Sequence, residues 1–400
     1  MNRKISLGLT ISLIAIGCAI TFVLTWTVSL GIYNSKIASS EKYDGVYEKL
    51  KELDAAVRAN YIGAGAINDE TLQASILSGY VNGIGDKYAS YMQANAYYEL
   101  QQTTSGVING TGLEAEDNGS GYLAVTRVYK NSSAESNGVK AGDVITEIDG
   151  KSLLSMTPDD GLQRLSGEIG TKISLTLVRN GEEISVTLVR QQVDIESVTE
   201  KMLENRIGFI RITAFNAKTA EQFSTALNTL TAQGAAALII DVRQNGGGTV
   251  SSIQPMLNRL IPAAIIAYSE NAYGARKTLV ETDGANYIDL PITVLADGGT
   301  ASAAELFAIA LKDERGAAIV GTQTYGKASI QSVISFPDGS ALTLTTAKII
   351  PSKSDSYDNV GIKPDYQVEL PTGILFEYLS EQDDTQLQKA IEISTAKITQ

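Results

Sequence analysis

The 400-residue sequence contains no histidine, one cysteine and one tryptophan. Without histidine, every Ser-His-Asp, Cys-His and histidine–metal arrangement is excluded before any motif is read. The lone Cys18 rules out a disulfide within the chain. Positive charge is scarce, with 32 Lys and Arg against 45 Asp and Glu. The resulting net charge of −13 disfavours a surface that tracks phosphates, so nucleic acid is not an expected partner. Acid–base chemistry is left to lysine, aspartate, glutamate and tyrosine. What is present is an ordinary globular composition, 44% apolar and 19% charged, in a chain long enough for two or three domains. No internal repeat or low-complexity tract interrupts it.

The one long run without charge extends from Ile5 to Tyr33, after Arg3 and Lys4. At about 1.5 Å per residue it can cross a hydrocarbon core of roughly 30 Å, and it is too long for the apolar part of a cleavable signal peptide, about 7–15 residues. Residues 1–35 therefore read as a transmembrane anchor in which Cys18 faces lipid. The positive charge ahead of the span places the rest of the chain outside the cytoplasm, which predicts a single-pass protein of the cell membrane.

Residues 36–103 carry apolar positions at helical spacing, Val46, Leu50, Leu53 and Val57, then Leu72, Ile76, Tyr80 and Ile84, and read as two or three helices. Between 104 and 193 the texture changes to short strands with Gly, Asn and Asp turns, at 121–128, 143–148, 173–179 and 184–190. From 194 to 400 strand-like runs at 236–242, 291–296 and 317–321 alternate with helical stretches near 249–260 and 302–313. That alternation predicts an α/β layered core with a largely parallel sheet, and chemistry in the loops at the carboxyl ends of its strands.

Three such loops stand out. Asp241 to Gly248 ends in Gly246-Gly247-Gly248, an unsubstituted backbone that can turn amides toward a negative oxygen, or simply a flexible turn. Gly298 to Glu305 opens a helix, and Ser302 followed by Glu305 spells a capping box, which more often starts a helix than marks a nucleophile. Gly321 to Ser329 nearly spells the phosphate-binding G-x-x-x-x-G-K-[ST] loop. However, Ala328 stands where a hydroxyl should hold Mg²⁺, and Ile330 to Phe336 reads as a strand where a helix is required.

Two resemblances add to this. The stretch from Ala134 through Asp143 to Gly150, punctuated by Gly138 and Gly142, resembles a PDZ domain. It implies capture of a peptide end as an added strand, with Gly112 and Leu113 in the carboxylate-holding loop, though Glu114 replaces the usual second glycine there. A groove that serves structure alone is the alternative. Ser302, Lys327 and Gln331 in their three-loop setting resemble the C-terminal processing peptidases, a serine–lysine family with an inserted PDZ domain. Gly83-Ile84-Gly85-Asp86-Lys87-Tyr88, Gly361-Ile362-Lys363-Pro364-Asp365 and Asp384-Thr385-Gln386-Leu387 belong to the same resemblance.

By that resemblance Ser302 is the nucleophile, Lys327 the base 25 residues on and Gln331 the residue that orients it, while the amides of Ala303 and Gly247 form the oxyanion hole. Physics agrees about the base: a serine needs one, and with no histidine a lysine is the best group left. Bringing a lysine from about 10.4 to about 7.5 means roughly 4 kcal/mol of destabilised charge, which apolar burial can supply. An orienting glutamine adds no charge that would hold the amine protonated. The expected protein is a membrane-anchored serine endopeptidase without cofactor or metal, acting on polypeptides with free C termini outside the cytoplasm, its PDZ domain recognising tails and gating the site. A homodimer and a regulatory protein stay open as partners. The alternatives from other classes are a catalytically silent PDZ scaffold and a nucleotide-binding protein using residues 321–327.

Overall fold

The computed structural model describes residues 45–399. Contacts divide the chain after Ile76. Before that boundary lie a helix over 45–60 and the start of the helix Asp69–Asn82, and Val46, Leu53 and Val57 are exposed. With Ala94–Ser105, three α-helices lie between 45 and 105.

From 113 to 189 the strands Leu113–Asp117, Leu123–Val128, Val144–Ile148, Lys172–Arg179 and Glu182–Val189 pair antiparallel in that spatial order. Alternation decides which face is buried: Ile173, Leu175 and Leu177 are almost wholly buried with Leu123, Ile145 and Leu188, whereas the alternate residues Lys172 and Ser174 face solvent. Asn180 and Gly181 join the last two strands, both with positive φ (52° and 85°), as a two-residue turn matched to strand twist requires.

The remainder is built on a six-stranded sheet in the order Val198–Leu203, Ile207–Ile212, Ala237–Asp241, Ile292–Ala296, Ala318–Gly321, Tyr366–Gln367, parallel except for its first pair. Both faces are covered. Leu238 and Ile240 pack with Phe223, Leu257 and Phe307 of three helices, while Ile239 and Leu295 pack with Leu387 and Ala390 of the helix Thr385–Ile398. Strands buried on both faces become unbroken apolar runs, which is why Ala237–Asp241 and Ile292–Ala296 were legible.

Two expectations need correction. The fold is mixed α/β, and its sheets are largely antiparallel: among the named strands, parallel pairing is confined to the sheet just described. A five-stranded sheet carries Ser329–Ser335, Ala341–Pro351, Ala264–Asn271, Arg276–Thr282 and Ser90–Met92, antiparallel throughout. The cause is connection length. Ser335 and Ala341 are joined by a tight turn in which Phe336 N–H donates to Ser340 O at 2.8 Å, and a turn so short cannot make the crossover that parallel strands need. The transmembrane helix and the single-pass location in the cell membrane are also withdrawn. Among the described residues no helix is long and apolar enough to cross a membrane, and the segment 5–33 on which they rested, with Cys18, lies outside those residues.

One buried ionic cluster ties the last helix to the sheet. Arg243, 2% exposed, donates through Nε and Nη2 to both oxygens of Asp241 (2.9 and 2.8 Å) and through Nη1 and Nη2 to both oxygens of Asp384 (2.9 and 2.8 Å). Asp384 also caps the helix, accepting from Leu387 N–H at 2.9 Å. Arg243→Ala leaves the buried Asp384 without an ionic partner and Asp241 with only Arg211 at 3.4 Å, and should lower the unfolding free energy by about 3–5 kcal/mol in urea denaturation; a change within experimental error would show that the cluster is not worth what its burial implies.

Candidate active site

Three neighbouring parallel strands, Ala237–Asp241, Ile292–Ala296 and Ala318–Gly321, end at the same edge of the sheet, so the loops after them lie side by side. Polar bonds fasten them to one another. Asp297 accepts Gln244 N–H at 2.9 Å and Gln244 Nε2–H at 2.6 Å, Ala301 N–H donates to Asn245 O at 2.9 Å, and Tyr325 N–H donates to Thr300 O at 3.0 Å.

The glycine loop presses against the serine. A methyl built on Gly247 would stand 3.0 Å from Ser302 Cβ and 3.1 Å from the Ala303 nitrogen, and one on Gly248 only 2.0 Å from Phe215 O. Gly248 has φ of 137°, so close approach and backbone conformation both require glycine there. The Gly247 amide is not free: it donates to Oδ1 of the fully buried Asn245 at 2.8 Å, and Asn245 Nδ2 donates to Ile212 O at 2.9 Å. The Ala303 amide, at the first position of the helix Ala303–Arg315, has no acceptor among the described residues.

Ser302 is half-buried, with φ 56° and ψ −116°. A non-glycine residue there is strained by about 1–3 kcal/mol and persists only if its surroundings hold it. A sharp, strained turn from strand to helix is also how nucleophilic serines are raised clear of a sheet. The holding group is Glu305. Its carboxylate, fully buried, accepts Ser302 N–H (2.9 Å) and Lys327 N–H (2.8 Å) on Oε2, and Gly326 N–H (2.7 Å) and the Thr324 hydroxyl (2.5 Å) on Oε1. One carboxylate thus joins the serine loop to the lysine loop.

Lys327 is half-buried, followed directly by the strand Ser329–Ser335 rather than by a phosphate-binding helix. Its amine stands 4.6 Å from the centre of the Tyr88 ring. Burial pushes it below the usual lysine range, Asp86 opposes that shift and Lys87 adds to it. Gln331 turns elsewhere: Nε2 donates to Ser329 Oγ (3.0 Å) and Thr345 Oγ1 (3.2 Å), beside an irregularity in strand register between Ile330 and Gln331. No hydrogen bond connects the Ser302 hydroxyl, the Lys327 amine and the Gln331 side chain. The structure brings the first two onto loops that share a carboxylate, and leaves Gln331 on other partners.

In the antiparallel module Gly112 has φ of 83° and lies so close to Ser132 that a methyl would stand 2.1 Å from Ser132 Cβ. Leu113 is buried in that module's core. The Glu114 carboxylate accepts the Tyr129 hydroxyl, which burial, reinforced by this bond, pushes up to about 12. Thr111 Oγ1 is buried without a partner.

Sequence reasoning took Glu305 for a helix-capping residue and quoted Asp86 and Tyr88 without a role. The signal for Glu305 was its place one helical turn beyond Ser302, since a side chain there points back along the helix to the turn that carries the serine.

Comparison with known proteins agrees with this architecture. The profile of peptidase family S41 matches residues 206–368, and a PDZ domain profile matches residues 124–179. A carboxyl-terminal-processing protease of Synechocystis sp. is 31% identical over 322 residues, covering 79% of this chain and 75% of that protein. The carboxy-terminal processing protease CtpA of Bacillus subtilis is 29% identical over 381 residues, 95% of this chain and 80% of its own length. The solved photosystem II D1 C-terminal processing protease is 26% identical with a TM-score of 0.45, covering 80% of this chain and 93% of that one. The chain belongs to the carboxyl-terminal processing proteases of peptidase family S41, serine peptidases that act on polypeptides.

Proposed function

We propose that this protease cuts polypeptides near their C termini with Ser302 as nucleophile and Lys327 as general base. The observation that carries the reading is the Glu305 carboxylate, on whose one oxygen the backbone amides of both residues converge. Neutral Lys327 takes the proton of the Ser302 hydroxyl as Oγ attacks the scissile carbonyl. The oxyanion so formed faces the Ala303 amide and a second amide of the Gly246–Gly248 loop. Gly247 serves only if Asn245 releases its N–H, an exchange worth about 1 kcal/mol that a charged oxygen outweighs. The ammonium of Lys327 then returns the proton to the departing amine, leaving an acyl-enzyme. Water, deprotonated by the same lysine, attacks the ester, and the new carboxylate leaves as Ser302 regains its proton. Hydrogen bonds of this kind tighten in the substrate complex, and Gln331 joins the amine by a rotation of its side chain.

The division is into a helical region over 36–103, a PDZ domain over 104–193 and a protease core over 194–400. The PDZ domain receives substrate tails at Gly112 and Leu113 and gates the site. The left-handed backbone of Gly112, φ 83°, supports this, because a turned and unsubstituted backbone can aim amides at a carboxylate.

Ser302→Ala and Lys327→Ala should each lower kcat/KM on a peptide substrate by at least about a thousandfold; a silent PDZ scaffold predicts no difference from wild type. Because only the neutral amine accepts a proton, kcat/KM should rise with pH through one ionisation below about 10.4, and a profile flat from about pH 5 to 9 would contradict a lysine base. Glu305→Gln sets an NH₂ group against donors and should cost about a hundredfold in kcat/KM with circular dichroism unchanged. Full activity in that variant would mean that the two loops need no clamp.

A further inference from the structure

The segment Gly83 to Tyr88 takes no part in the steps above, yet it lies against the lysine. Ser90–Met92 pairs with Ala341–Thr343, and the Asp86 carboxylate accepts Thr345 N–H (2.8 Å), the Thr345 hydroxyl (3.0 Å) and Tyr88 N–H (3.0 Å). Tyr88 is thereby fixed beside the strand Ala341–Pro351, which also pairs with the strand Ser329–Ser335 that follows the lysine loop. Its hydroxyl is buried without a geometrically formed hydrogen bond, although the phenol's nearness holds the Lys87 amine above the usual lysine range. A buried phenol that bonds nothing asks for an explanation in its ring. The ring has one: Lys327 Nζ stands 4.6 Å and Lys87 Nζ 4.7 Å from its centre, the geometry in which an ammonium is drawn to the negative face of an aromatic ring.

We propose that Tyr88 is a positioning residue for Lys327, its ring face holding the amine in the ammonium form that exists between removal of the Ser302 proton and its delivery to the leaving group. This rests on the reading of Lys327 as the base. The other charged groups around the lysine leave that task to the ring. Asp86 is occupied by Thr345 and Tyr88, Glu305 by backbone amides and the Thr324 hydroxyl, and Asp358 by Ala328 N–H at 3.3 Å; Lys87 repels. A free carboxylate in contact with the amine would fix the proton and end turnover. A ring attracts the cation more weakly and cannot itself accept the proton, so the lysine is held yet still releases it.

The test is a series at position 88 in the full chain: Tyr88→Phe, then mono-, di- and trifluorophenylalanine, which withdraw charge from the ring face with little change in shape. Tyr88→Phe should keep kcat/KM within about twofold, because the hydroxyl has no partner. Along the fluorinated series the pH midpoint of kcat/KM should fall stepwise, by about one pH unit in total, with a parallel loss in kcat. Tyr88→Leu, which keeps apolar bulk without the ring, should behave like the end of the series. A midpoint and kcat that do not vary with fluorination overturn the proposal, as does a more than tenfold loss in Tyr88→Phe. If Lys327→Ala retains turnover, the lysine reading itself falls; if that variant is dead while the series is flat, only the role of Tyr88 falls.

Discussion

A single buried carboxylate holds the site together. Glu305 has four donors on its two oxygens, drawn from the serine loop and from the lysine loop, and no cation among its partners. An ionised carboxylate out of water is costly unless its lone pairs are taken up, and backbone amides take them up without adding a group that titrates. The anion therefore organises the site while leaving the amine of Lys327 unpaired. Were that amine its partner, the pair would hold the lysine protonated.

The absence of histidine bears directly on this arrangement. An imidazole works near its ordinary ionisation, whereas a lysine must be destabilised as a cation, and the burial that does so here acts from the protein side of the loop. The site thus places its negative charge on the backbone at Glu305, its amine half out of water and an aromatic ring beside it. Each choice limits the next, since any carboxylate moved from the backbone onto the amine undoes what burial achieves.

How much of this was legible in the sequence depends on how each part is made. Runs such as 236–242 and 291–296 were readable because both faces of those strands are covered, and their loops then had to fall at one edge of the sheet. Ala341–Pro351 was not, because most of it is half-buried or exposed and its threonines match neither an apolar run nor a strict alternation. Missing that strand turned a mixed fold into a parallel one. Ser302 and Lys327 were singled out by a family resemblance and their spacing, but the partners of Gln331 depend on a register irregularity that no local pattern encodes. Glu305 was read only in part: the capping box its S-x-x-E spacing predicts is present, but only the fold brings Thr324, Gly326 and Lys327 onto the same carboxylate.

Strain and clamp must be weighed together at Ser302. Its backbone, at φ 56° and ψ −116°, costs about 1–3 kcal/mol, and a hydrogen bond from its N–H to a charged acceptor returns about 1.5–3 kcal/mol. The two nearly cancel, so the raised serine is held at little net cost to the fold. The cancellation requires the Glu305 carboxylate to stay fixed, and it is fixed by the lysine loop. Ser302 and Lys327 are therefore coupled through one residue: the bond that keeps the serine in its strained conformation comes from the group that orders the loop of the lysine, and loosening either loop loosens the other.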